Sequence, residues 1–324
     1  LQCRTNASAT VLIPATTKRP PSAKCHPQQV ELLFSAPVRQ EGAPEAIRLT
    51  PALGKERAAW EEVSAASRLR RAHKKGTTYA LALPDLRWGE TYRLQVAARQ
   101  LKDEFGRLLA EPIDVPFLTD HMPPELILRS EMAVLEQQVE THLPLEIVNV
   151  ESVQVRYEAL TTRGRSTDQE HTIPLQPDID TAYLIPLPVR DLIPGASGAI
   201  QGTIAATPVL ERDEPQWFFA QVTPFHLHIK LGYANTLVWV TAFDTGLPVP
   251  GVQVRLTREQ LKPLTDTPAV LAEAVTNAEG LALLVGSSSL DPRLRLLNRW
   301  GEPGKQHVFV RLQKGDAMAI VPLV

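Results

Sequence analysis

The sequence has few of the features that mark an enzyme, a membrane-spanning protein or a nucleic-acid-binding protein. Its 324 residues include only two cysteines, and aromatic residues make up only 6%. No run approaches about 18 consecutive apolar residues, so no membrane-spanning helix is predicted. The 34 lysines and arginines nearly balance the 36 aspartates and glutamates, and the resulting net charge of −2 provides no general attraction to nucleic acid or to an anionic membrane.

Motifs for catalysis and metal binding are also missing. The chain has no Gly-x-Ser-x-Gly nucleophile motif, and no Cys-x-x-Cys or His-x-x-x-His spacing for a metal. His226 and His228 lie two residues apart, so on a strand they would share one face and supply half of a metal site. We expect a solvated strand face there instead, opposite the apolar Leu227 and Ile229. The sequence therefore predicts no enzyme, no metal and no cofactor.

The two cysteines, Cys3 and Cys25, both lie near the start of the chain. We expect a disulfide between them, because it would hold an otherwise frayed terminus and stabilise the fold by roughly 3 kcal/mol. Reduced thiols in a cytosolic protein are the alternative. Cys3 as a lipid attachment site is disfavoured, because Gln2 replaces the small residue usual before such a cysteine. Since the chain starts at Leu1 and not at Met, we expect a processed chain or a segment of a longer one.

Alternation of apolar and polar residues is the dominant pattern along the chain. It is clearest at residues 29–34, 92–96, 152–157, 226–231 and 252–256. A period of two with one polar face is typical of antiparallel sheets that expose one face to water. Proline is enriched, at 28 of 324 residues against about 5% on average, and it favours strand ends, edges and turns. The best helical candidate, residues 57–71, is short, so the predicted fold class is all-β.

Two joints divide the chain into three segments. The first joint is the double proline Pro123 and Pro124, and the second lies near Pro224, after a strand rich in aromatic residues. The predicted domains are 1–122, 123–224 and 225–324. Each is long enough for one antiparallel β-sandwich.

Two groups of residues are candidates for contacts with partners. The first is a cluster of basic residues: Arg68, Arg70, Arg71, Lys74 and Lys75. We expect a solvated loop whose positive charge is partly neutralised by Glu61 and Glu62. The alternative is that the cluster binds an acidic partner or a phosphate. No aromatic residues interleave the cluster, so it does not indicate nucleic-acid binding.

The second group is the aromatic run Trp217, Phe218 and Phe219. On a strand, three consecutive side chains must face both sides of the sheet, so at least one of them meets a neighbouring domain or water. We expect packing between domains rather than a ligand platform.

The third segment carries the most specific motifs. A buried strand at residues 235–241 leads into Asp-x-Gly-x-Pro at residues 244–248, and Pro250 and Gly251 then suit a type II turn. Thr-Asn-x-x-Gly-Leu follows at residues 276–281. This combination resembles the macroglobulin-like domains of bacterial alpha-2-macroglobulins. The middle segment, with residues 143–150 leading into the strand of Val153, resembles a domain of the same family, and residues 28–119 resemble a bacterial immunoglobulin-like module of exported proteins.

The resemblance implies three consecutive sandwiches, one immunoglobulin-like with a disulfide-tethered start and two macroglobulin-like. It also implies a non-catalytic, amino-terminal scaffold of a periplasmic protease trap. Partners would be proteases, through the full-length protein, and periplasmic or membrane proteins. The family's reactive thioester is made from Cys-x-Glu-Gln, but the nearest string here starts with Val134, so no thioester can form in this segment.

Two other functions remain open from the sequence. One is a surface adhesin or stalk of immunoglobulin-like modules, which should show near-identical repeats that this chain lacks. The other is a non-catalytic sandwich of a carbohydrate-active enzyme, which should expose a row of aromatic residues, and only 6% of this chain is aromatic.

Overall fold

The computed structural model describes residues 1–5, 10–14, 22–39, 46–50, 72–74, 77–83, 86–140, 142–210, 215–260, 262–263, 265–293, 295–297 and 306–323. These residues form layered β-sheets with two short helices among them, so the all-β prediction is confirmed. The chain divides into two compact units. The first contains Leu1–Pro123 with Asp178–Asp180, and the second contains Pro124–Pro177 with Thr181–Val324.

The described residues of the first unit form two antiparallel sheets. Its described strands are β1 (Gln2–Arg4), β2 (Thr10–Leu12), β3 (Val30–Arg39), β4 (Ile47–Thr50), β5 (Ala72–Lys74), β6 (Thr77–Ala82), β7 (Thr91–Val96) and β8 (Ile113–Leu118). One sheet has the order β2-β1-β3-β6-β5 and the other β4-β7-β8. Residues of β7 alternate between exposed and buried, as its sequence predicts. Tyr92 and Phe117 stack in the core with ring centroids 5.6 Å apart.

Cys3 and Cys25 are joined by a disulfide and are almost completely buried. Cys3 lies on β1, opposite Val30 of β3, while the Cys25 N–H donates to the Leu118 carbonyl at 2.8 Å. The bond therefore connects one sheet to the end of a strand in the other.

Removal of this disulfide should destabilise the first unit. Replacing both cysteines by alanine releases a loop with a sequence separation of 22. We expect the free energy of unfolding of the first unit to fall by roughly 3 kcal/mol. Denaturant unfolding measures the loss, and the transition of the second unit, which contains no cysteine, serves as the internal control. Thiol counting on unfolded, unreduced protein from an oxidising compartment should find none, and two free thiols would contradict the bond.

In the second unit, the part of the chain that the structure describes forms four sheets, of which the first two enclose one core. Their elements are β9 (Glu125–Leu128), β10 (Met132–Glu136), β11 (Leu143–Val148), β12 (Ser152–Thr161), β13 (Gly164–Arg165), β14 (Gln169–Pro174), β15 (Ala182–Leu187), α1 (Val189–Leu192), β16 (Gly198–Thr207) and β17 (Gln216–Thr223). The larger sheet has the order β10-β17-β16-β12-β13, with β14 also paired to β12, and the smaller sheet is β15-β11-β9. Leu145, Val155, Ile200 and Phe218 are buried between them.

The other two sheets enclose a separate core. Their elements are β18 (Phe225–Leu231), β19 (Asn235–Ala242), β20 (Gln253–Gln260), β21 (Ala269–Val275), β22 (Leu281–Val285), α2 (Ser287–Leu290), β23 (Gln306–Lys314) and β24 (Ala317–Pro322). The sheets are β18-β19-β22 and β21-β20-β23-β24, with Val240, Val254 and Val310 between them. Gly251 has a φ of +75°, as the predicted type II turn requires.

One strand pair departs from the predicted antiparallel pattern. Among the described strands, only β10 and β17 pair in parallel, with Met132 opposite Phe219. Period-two alternation is the same in both kinds of sheet, so the sequence pattern could not distinguish them.

The double proline predicted as the first joint lies at the boundary between the two units, whereas residues near 224 lie inside the second unit. The division into three domains stays a prediction.

Candidate functional site

Two sheets of the second unit meet through their outer faces, and we call this contact the junction. It contains a buried apolar cluster, separate from both cores, with Met132 and Trp217 packed against it: Leu160, Ala199, Phe219, Phe309, Met318 and Ile320. The first three lie on β12, β16 and β17, and the others on β23 and β24. Strand alternation explains the cluster, because Phe218 points into its own core and its neighbour Phe219 therefore points outward.

Two polar side chains cover the backbone of β24, which is the edge strand of its sheet. The Gln221 amide donates to the Ile320 carbonyl and accepts from the Ile320 N–H, each at 2.9 Å. The Ser197 hydroxyl accepts from the Met318 N–H at 3.0 Å and lies 3.1 Å from the Met318 carbonyl. Gln221 and Ser197 are both buried. Side chains here take the place of a neighbouring strand, so the edge is closed to further pairing.

A buried ion pair lies on the same outer face as Phe309. Arg311 on β23 makes a two-pronged contact with Glu259 on β20, with its Nε 2.8 Å from one carboxylate oxygen. The same guanidinium donates to the Thr265 carbonyl, and the Thr257 hydroxyl donates to Glu259 at 2.7 Å. The Glu259 side chain is fully buried and that of Arg311 is 14% exposed. These contacts satisfy charges that would be costly to bury alone.

His307, directly opposite Glu259 in the register of β20 and β23, is also buried. Burial lowers the pKa of His307, because the low-polarity surroundings disfavour the imidazolium. The outer face at this position therefore favours a neutral imidazole.

The rim of the junction has an open cleft of about 670 Å³. The Lys262 ammonium lies 3.7 Å from the centroid of the Trp217 ring, a cation–π contact. Arg156, Glu158 and Gln201 line the cleft beside them.

The structure places the predicted aromatic residues in three environments: Trp217 at the rim of the junction, Phe218 in a core and Phe219 within the junction. The basic cluster falls mostly outside the described residues, which exclude Arg68, Arg70, Arg71 and Lys75. Lys74 ends strand β5, and its side chain is also outside the described part. Their predicted role in partner contacts stays a prediction.

Sequence reasoning missed the polar residues of the junction. Gln221, Ser197 and Glu259 are of types that normally face water, so their sequence positions gave no sign of burial. One signal was available, because β24 is apolar at successive positions instead of alternating. Such a strand is buried on both faces.

Within the described ranges, no group of three or more histidine, cysteine, aspartate or glutamate side chains is placed to hold a metal ion. No described helix has the length and apolar character needed to cross a membrane.

Comparison with known proteins gives a match at the level of structure alone. No family model and no curated protein matches the sequence. A crystal structure of alpha-2-macroglobulin from Escherichia coli spanning domains MG0-NIE-MG1 is similar, with a TM-score of 0.50 and 13% identity over 91% of each chain. A mutant of Salmonella alpha-2-macroglobulin has a TM-score of 0.56 and 14% identity over 90% of this chain. The methylamine-reacted Salmonella protein has a TM-score of 0.54 at the same identity and coverage.

The chain spans 17% of the length of the Salmonella proteins and nearly all of the three-domain Escherichia coli structure. The antiparallel sheets, the paired cores and this coverage agree with the likeness seen in the sequence motifs. The chain has the fold of the N-terminal domains of bacterial alpha-2-macroglobulin.

Proposed function

We propose that the chain is the non-catalytic, amino-terminal scaffold of a bacterial alpha-2-macroglobulin-like inhibitor that traps proteases in the periplasm. The junction is the observation that carries this proposal. The four sheets belong to one compact unit, and two of them are joined through their outer faces by an apolar cluster and by hydrogen bonds between the backbone of β24 and the side chains of Gln221 and Ser197. Such a joint resists bending, which is what a scaffold needs.

Trapping confines a protease geometrically, so it requires a shell larger than the protease. At 35.8 kDa, this chain is too small to form such a shell alone, and it spans only 17% of the Salmonella proteins of similar fold. We therefore assign trapping to the longer chain and rigidity to this segment. Contacts with proteases, and with periplasmic or membrane partner proteins, belong to the same proposal.

Disulfide formation between Cys3 and Cys25 supports the compartment, because disulfides persist in oxidising locations such as the periplasm. Release of the protein by osmotic shock, together with a periplasmic marker, would support this location. Retention with cytosolic enzymes would contradict it.

A substrate-size experiment tests the function. A broad-spectrum protease is incubated with the longer protein and then offered a large protein substrate or a small peptide substrate. We expect loss of activity on the large substrate and retained activity on the small one, because a confined protease excludes only large molecules. The 324-residue chain alone should change neither rate. Equal inhibition of both substrates would contradict trapping, and stoichiometric protection by this chain alone, without its own cleavage, would contradict the scaffold role.

A further inference from the structure

One exposed sheet face of the second unit carries two histidines in contact. His226 and His228 lie on β18 and are both exposed on the same face. Their ring centroids are 4.6 Å apart and the ring planes are at 80°. The sequence spacing alone predicted a solvated face, but the two imidazoles lie side by side.

Aromatic neighbours hold both rings in place. Trp239 lies opposite His228 on β19 and stacks on it, with centroids 5.4 Å apart and planes at 27°. The Trp239 indole N–H donates to the Glu279 carbonyl at 3.1 Å, which fixes the indole. Phe243 and His226 make an edge-to-face contact, with ring centroids 5.5 Å apart. Rings held in this way lose less conformational entropy when they bind a ligand.

The separation of the rings matches that of two imidazoles on one metal ion. With metal–nitrogen bonds of about 2.0–2.1 Å, and each nitrogen about 1.2 Å from its ring centroid, two imidazoles bound at about 90° have centroids about 4.5 Å apart. An angle near 90° suits square-planar or tetragonal sites, which Cu²⁺ and Ni²⁺ prefer. Cu²⁺ also binds nitrogen ligands more tightly than the other divalent ions of its row.

We propose that His226 and His228 form a two-histidine site for a divalent transition-metal cation, with Cu²⁺ bound most tightly. Water completes the coordination, since no third histidine, cysteine, aspartate or glutamate joins the pair among the described side chains. The nearest cationic residue on this strand face is Lys230, which is exposed, so water screens its charge. The metal site does not depend on the scaffold role, and a failure of either proposal leaves the other unaffected.

Tryptophan fluorescence provides a direct test, because Trp239 stacks on one of the two ligands and Cu²⁺ quenches a nearby indole. Titration of the whole chain with CuCl2 in a non-coordinating buffer should give saturable quenching. His226→Gln and His228→Gln should each weaken binding by at least about tenfold, the lower range for losing a group that supports a metal site. His171→Gln is the matched control, because His171 lies on strand β14 with no histidine two residues away, and it should leave binding unchanged. Trp239→Phe should abolish most of the quenching.

Electron paramagnetic resonance of the Cu²⁺-loaded chain keeps the proposal testable even if a variant unfolds. The wild-type spectrum should show two imidazole nitrogens, and each single variant should show one. A wild-type spectrum without two nitrogens would overturn the site. So would unchanged affinity in both single variants, or an equal loss in His171→Gln.

Discussion

Replacing Glu259 by glutamine should lower the free energy of unfolding of the second unit by about 3–5 kcal/mol. The substitution keeps the shape of the side chain but removes its charge. The guanidinium of Arg311, whose side chain is only 14% exposed, would then remain in a poorly solvated position without a counter-charge. Urea unfolding followed by circular dichroism measures the loss.

An exposed ion pair in the first unit provides the matched control. Arg93 and Asp114 also make a two-pronged contact, with both bonds at 2.6 Å, but their side chains are 59% and 42% exposed. The hydrogen bond from Arg93 holds the pKa of Asp114 below its usual value, yet water screens the pair. Asp114→Asn should therefore cost no more than about 1 kcal/mol. If Glu259→Gln and Asp114→Asn lowered the free energy of unfolding equally, burial would not determine how much an ion pair stabilises this protein.

Replacing Phe219 by alanine should have a comparable effect and should also separate the two halves of the second unit. Phe219 is 2% exposed in the apolar cluster of the junction, and removing a buried phenylalanine ring typically costs about 3–5 kcal/mol. Phe219 lies outside both neighbouring cores, so its removal weakens the contact between the two sheets and leaves the cores intact. Calorimetry should therefore show two transitions for the variant, where we expect one for the parent unit.

Two further phenylalanines serve as controls for this prediction. Phe218→Ala removes a ring from a core, so it should destabilise that core. Phe105→Ala changes a ring that is 67% exposed in the first unit and should stay within about 0.5 kcal/mol of the parent. A single unshifted transition in Phe219→Ala would mean that the junction does not couple the sheets.

The junction also explains why Phe309, Met318 and Ile320 are apolar although they lie on the outer face of β23 and β24. An edge strand with free backbone groups and apolar side chains invites pairing with other chains. Here Gln221 and Ser197 bond the outward-facing backbone groups of Met318 and Ile320, while Phe219 covers their side chains. The second unit thus protects its own edge.

The sequence by itself determined the local elements of this protein. The predicted strands at residues 92–96, 152–157 and 226–231 lie within β7, β12 and β18, because period-two alternation depends only on neighbours in the chain. Gly251 adopts the positive φ that its Pro-Gly motif predicts. Only one pairing was open to two cysteines within one chain, and the structure contains that bond.

The tertiary structure alone decided how the sheets meet. Whether the outer face of a strand is exposed to solvent or buried depends on another sheet that is distant in sequence. The residues next to Gln221 and Glu259 in the chain therefore do not indicate that these two side chains are buried. Parallel pairing of β10 with β17 is invisible for the same reason, since alternation does not encode strand direction. For His226 and His228 too, the sequence determined one part of the arrangement and the tertiary structure the other. Their spacing placed them on one face, but only the folded structure shows the two ring centroids 4.6 Å apart, with Trp239 against His228 and Phe243 against His226.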